Sequence, residues 1–149
     1  PRAINFERVY LEKDSFDFSF SGLKTAVLNY INQQKQAGIE INRADVAASF
    51  QQAVMEVLVR KTVDAAVLKG EKKLVLAGGV AANSKLREML GAACEKAGIR
   101  LYRPDPVLCT DNGAMIAAAA YYIYQSGRTD DLDLEAYANL PLESERREL

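Results

Sequence analysis

A chain of 149 residues, 49% of them hydrophobic, is long enough for one domain with a real core. Its formal net charge of −1 excludes a strong free-standing nucleic-acid binder, and the lack of any apolar run near ~18 residues excludes a helical membrane span. With no histidine present, base catalysis or metal binding within the chain falls to carboxylates, while Cys94 and Cys109 lack CxxC spacing and read as reduced, buried thiols of a cytoplasmic protein.

Residues 1–14 mix apolar and charged side chains without a period and read as an irregular, linker-like lead-in. Phe16, Phe18 and Phe20 then alternate with Asp17, Ser19 and Ser21, the two-residue period of a strand, which Gly22 ends. From Leu23 the spacing of Ala26, Val27, Tyr30 and Ile31 predicts a helix that Gly38 terminates. A second helix runs from about 42–45 to 68, with Val46, Phe50, Val54, Val57, Leu58 and Val67 as its stripe and Gly70 as its stop. A strand over 73–77, a helix over 84–97 buried through Leu86, Met89, Leu90 and Ala93, a Gly98 cap and a strand over 99–102 make a right-handed parallel crossover. Two prolines in Arg103-Pro104-Asp105-Pro106 force a non-repetitive connection. A polar turn over 109–113 leads to a helix over 114–125 that Gly127 ends, with small residues at 117–120 open to a close neighbour. Residues 128–149 hold seven acidic and three basic side chains and read as a polar tail, leaving residues 1–127 mildly basic at about +3.

Three places offer chemistry. Gly78 and Gly79 follow the buried run Leu74-Val75-Leu76-Ala77 and open a helix, so the backbone there can approach a ligand closely and present N–H groups to an anion. The G-x-G-x-x-G order of the dinucleotide fingerprint is missing. Asn83 is either the helix N-cap or a ligand contact. Asp111 is either a cap or a carboxylate at the edge where α/β sheets place ligands, and it needs partners to hold a metal. Ser21 and Lys24 either line a polar cleft or simply begin an exposed helix. No residue is a convincing nucleophile, since nothing can activate Cys109.

Asp17-Phe18-Ser19-Phe20-Ser21-Gly22-Leu23-Lys24-Thr25-Ala26-Val27, the LAGGVAANSKLR run over 76–87 and the CTDNGAMIA run over 109–117 together resemble the C-terminal half of the TsaD family. These are tRNA N(6)-adenosine threonylcarbamoyltransferases, formerly called O-sialoglycoprotein endopeptidases. The resemblance implies an α/β fold, part of an actin-like/Hsp70-like ATPase (ribonuclease H-like) lobe with about three strands and flanking helices. It also implies transfer of a threonylcarbamoyl group from threonylcarbamoyl-adenylate to the N(6) amine of the adenosine beside the anticodon. By position, Asn83 matches the asparagine that contacts the adenylate, Gly78 and Gly79 the glycines beside the nucleotide, and Asp111 the aspartate that binds an iron or zinc ion.

The family's metal site also uses two histidines of an HxxxH segment, which this chain lacks. The expectation is therefore a separated C-terminal portion, residues 1–127 of the transferase lobe plus an acidic tail, inactive without an N-terminal lobe. The resemblance implies tRNA and accessory proteins of the transfer complex as partners, and ATP or the acyl-adenylate as ligand. Two other readings stand beside it: an adenine-nucleotide-binding or interaction module without catalysis, and a metalloprotease of the older glycoprotease description. Uncovered strand edges and apolar faces, the 16–20 strand or the helix near Ala117, lead to the expectation of a homo-oligomer.

Overall fold

The computed structural model describes residues 2–8, 10, 15–136, 138 and 139. Two compact units divide it at residue 110, one holding residues 1–110 and the other the rest. In the first, α1 (Ser21–Gln36) and α2 (Arg43–Leu68) precede β1 (Lys73–Val75), α3 (Ser84–Ala97) and β2 (Arg100–Tyr102). The second contains α4 (Gly113–Gln125).

The axis of the first unit is α2. Its start is fixed by Asn42, whose side chain accepts hydrogen bonds from the amides of Ala44 at 3.0 Å and Asp45 at 3.2 Å, with Asp45 placed at the positive end of the helix dipole. Twenty-six residues give a rod of roughly 39 Å, long enough to serve two cores. Near its start Val46 and Ala53 pack with Phe6 and Leu23, joined by Val27 and Tyr30 of α1. Farther along, Met55, Val59 and Ala66 pack with Leu86, Leu90, Cys94 and Ile99. Those cores lie at different azimuths around the helix, so the single stripe read from the sequence is corrected: Val46 and Val57 are buried, but Phe50 and Val67 face solvent.

β1 and β2 pair in parallel with Leu74 opposite Leu101, and the ladder extends through Arg100 N–H to Lys72 O at 2.8 Å and Leu76 N–H to Tyr102 O at 2.9 Å. Leu74, Leu76 and Leu101 face the α2–α3 core, whereas Val75 and Tyr102 remain exposed. The crossover through α3 stands as expected, ending at Gly98 with φ 66°, a left-handed cap that favours glycine. Leu90 at its centre is 2% exposed, a burial worth about 1.5–3 kcal/mol.

The expected third strand is absent: among the described residues the sheet has two strands, and 16–20 joins no ladder. Alternation put Phe18 and Phe20 on one side of an extended segment, where their rings stack at 6.4 Å. An extended chain has that period whether or not a neighbour pairs with it. Gly22 is likewise no terminator but sits in the first turn of α1. Both strands are also shorter than expected, three residues each.

Residues 2–8 are not a linker either. Phe6 is 4% exposed and meets Tyr30 edge-on at 5.9 Å, Ile4 N–H donates to Ser49 Oγ at 3.1 Å, and Arg8 Nε donates to Glu56 Oε2 at 2.7 Å. Burial pushes the Glu56 carboxyl up, but hydrogen bonds from Gln52, Arg8 and Arg2 and the charge of Arg8 outweigh it, leaving it below its ordinary 4.5. The stabilisation from this group is therefore full above pH 4.5 and lost as pH falls through the lowered value. Glu56→Gln should cost about 1–2 kcal/mol at pH 7, and the gap from the parent should close on acidification. Melting curves between neutral pH and about pH 3 check this, and a gap that stays constant would refute the assignment.

In the second unit α4 has no buried residue, and Tyr121 and Tyr122 meet edge-on at 5.5 Å. No described helix is long and apolar enough to cross a membrane. The lead-in and tail expectations, where they fall on residues 1, 9, 11–14, 137 and 140–149, lie outside the described residues.

Candidate functional site

β1 ends in a turn that only its first glycine can make. Gly78 has φ 86° and ψ 170°, a conformation essentially closed to side-chain-bearing residues. Gly79–Ala82 then forms a 3-10 turn, closed by Ala81 N–H to Gly78 O at 2.9 Å and Asn83 N–H to Val80 O at 3.0 Å. The glycines thus do not open α3 directly, as the sequence suggested: a full turn intervenes, and Ala81, 1% exposed, anchors it. Gly78 and Gly79 themselves are exposed.

Asn83 caps α3, its Oδ1 accepting from Leu86 N–H at 3.0 Å. The Nδ2 donors take no part in that cap, so capping does not use up the hydrogen-bonding capacity of the side chain.

The loop after β2 comes alongside. Pro106–Leu108 is a second 3-10 turn, and Cys109, buried, donates its thiol to Asp105 O at 3.6 Å. Arg87 ties the two loops together. Its Nε donates to Ala81 O, and its Nη2 to Pro104 O at 2.6 Å and Cys109 Sγ at 3.1 Å. Helical side chains lean towards the N-terminus, so a residue one turn into α3 reaches the connections that precede and follow it. Sequence reasoning assigned Arg87 no role, although its place one turn after the Asn83 cap was the available signal. Burial raises the other thiol, Cys94, above its ordinary value, consistent with an inert core group.

Gly78, Gly79 and Asn83 therefore share one turn at the carboxyl end of a parallel strand, the edge where α/β sheets receive ligands. Ser21 and Lys24 are exposed in the first turn of α1, and no hydrogen bond among the described residues joins them to that turn. Asp111 belongs to the second unit and is exposed. It is not the cap of α4: Asn112 is, its Oδ1 accepting from Met115 N–H at 2.9 Å. Among the described residues the donor set does not fit a metal ion, for they contain no group of three or more His, Cys, Asp or Glu side chains able to hold one.

The family model described as TsaD, tRNA N6-adenosine threonylcarbamoyltransferase, matches residues 2–118, which include all three sequence motifs. The chain belongs to the TsaD family. Relatives bearing that enzyme's name include proteins of Moorella thermoacetica, 56% identical over 142 residues, Clostridium botulinum, 54% over 140, and Staphylococcus epidermidis, 53% over 140. The matches cover 94–95% of this chain but only 41–42% of those relatives. The TsaD chain thus spans about two fifths of the length of the curated proteins it resembles.

Proposed function

We propose that this chain contributes the adenylate-binding edge of a tRNA N6-adenosine threonylcarbamoyltransferase, on a lobe of the actin-like, ribonuclease H-like type. The supporting observation is the Gly78–Asn83 turn, held against the loop after β2 by Arg87. In this reading the exposed glycines let backbone approach the nucleotide, and the Nδ2 group of Asn83 donates to its adenosine part. The chain's residues bind and orient the acyl-adenylate, so that the carbamoyl carbon is presented to the N6 amine of a tRNA adenosine. No side chain at this edge is placed as a nucleophile, and Asp111 would need further ligands from outside the described residues to hold a metal ion. The other elements of the reading are a cytoplasmic location, accessory proteins of the transfer complex, and completion of the site by the part of the relatives that the match leaves uncovered.

Asn83→Ala tests it. Losing a ligand hydrogen bond should weaken binding of a non-reactive adenylate analogue about tenfold, while losing the cap costs only about 1 kcal/mol of stability. Calorimetric titration and a melting curve on the same sample read the two effects separately. Unchanged affinity with a lowered melting temperature would leave Asn83 a cap alone and defeat the proposal.

A further inference from the structure

At the opposite end of the sheet from the glycine turn, cations and aromatic rings are interleaved. Between residues 60 and 73 there are five cationic side chains, Arg60, Lys61, Lys69, Lys72 and Lys73, against two acidic ones, Asp64 and Glu71. Three of the cations lie over rings of the segment that precedes α1: Arg60 over Tyr10 at 5.0 Å, Lys61 over Phe18 at 5.9 Å and Lys69 over Phe16 at 5.6 Å. Lys61 Nζ also donates to the Asp17 carbonyl, holding the segment along α2. The rings nevertheless stay 39–44% exposed. Energetically significant cation–ring pairs occur roughly once per 70–80 residues, so three between Arg60 and the Lys69 C-cap of α2 are a concentration that core packing does not explain.

Phe16, Phe18, Lys61, Lys69 and Lys73, with one acidic side chain, Glu71, are among the residues that line an open hollow of about 280 Å³. Lys61 and Lys69 are separated by roughly 12 Å along the helix, a spacing that suits an extended polyanion better than one small anion. Lys73 begins β1, and Gly78 lies about 16 Å of extended chain beyond it. One small ligand cannot occupy both places, but a long nucleic acid can.

We propose that this face binds single-stranded or loop RNA, with phosphates on Lys61, Lys69 and Lys73 and unstacked bases against Phe16 and Phe18. The choice of RNA rests on the function proposed above. The lysines supply the sequence-independent part of the affinity, and the rings supply the preference for unpaired bases, which a duplex keeps stacked.

The test is fluorescence anisotropy of the full chain with a labelled stem–loop RNA, and with a blunt duplex of the same length, across a salt series and without adenylate. The triple variant Lys61→Gln/Lys69→Gln/Lys73→Gln should bind the stem–loop at least tenfold more weakly and flatten the slope of log affinity against log salt by about 2, since each single-strand phosphate contact contributes about 0.7. Phe16→Leu/Phe18→Leu should keep that slope and lose the preference for the stem–loop. Melting curves show whether each variant is folded. Single replacements of Lys61, Lys69 and Lys73, each expected to remove about 0.7 from the slope, replace the triple variant if it is not. Parent-like affinity and slope in folded lysine variants overturn the proposal, as does equal binding of a polyglutamate peptide, which would make the face a docking site for acidic protein. A chain that holds RNA but fails to bind adenylate would sink the proposed function and leave this face standing.

Discussion

Arg87→Met is expected to lower the melting temperature by about 5–10 °C. The guanidinium donates to Ala81 O, Pro104 O and Cys109 Sγ, and hydrogen bonds from a charged donor contribute about 1.5–3 kcal/mol each when partners are withdrawn from water. Methionine retains much of the volume and removes every donor, so the loss is electrostatic and not a cavity. Of the three acceptors, the half-buried Pro104 carbonyl can partly recover water, but Ala81 and Cys109 are buried and cannot. A net loss of about 2–3 kcal/mol follows, which at this chain length corresponds to the stated shift. Arg87→Lys should recover only part of it, because an ammonium is a single point that cannot fork across two loops. A melting temperature within about 2 °C of the parent for Arg87→Met would mean that the two loops hold their places without it.

This junction shows where the sequence was legible. Caps and breakers act locally, so α2, α3 and their ends at Gly70 and Gly98 followed from Asn42, Asn83 and the glycines themselves. What failed depended on partners distant in sequence. The Phe16–Phe20 alternation needed a neighbouring strand, and no described strand pairs with it. Phe6 looked like part of a linker because its partner Tyr30 lies 24 positions on. Arg87 looked like an ordinary helical cation because its acceptors lie on two different loops. Asp111 and Asn112 are neighbours with similar capping ability, and only geometry shows that Asn112 takes the role. The glycine–glycine turn was legible as a site, yet the two glycines read alike in sequence and are not alike in structure.

That difference sets the second expected result: Gly78→Ala destabilises, and Gly79→Ala does not. A Cβ built at either position meets nothing within 4 Å, so sterics with neighbours do not separate them. Backbone conformation does. At Gly78 the chain has φ 86° and ψ 170°, where a side-chain-bearing residue is strained by about 1–3 kcal/mol, or the turn reorganises and carries Asn83 with it. Gly79 is not among the residues with positive φ; alanine there restricts the unfolded chain and should be neutral or stabilising by up to about 1 kcal/mol. Gly78→Ala should therefore melt about 3–10 °C below the parent and bind adenylate poorly. Gly79→Ala should melt at or slightly above it and still lose adenylate affinity, because the new methyl group stands where the nucleotide is proposed to approach the backbone. Melting curves paired with analogue titrations on both variants decide the matter. A stable Gly78→Ala protein would refute the conformational argument, and a Gly79→Ala protein with parent affinity would show that the nucleotide does not come close to that backbone.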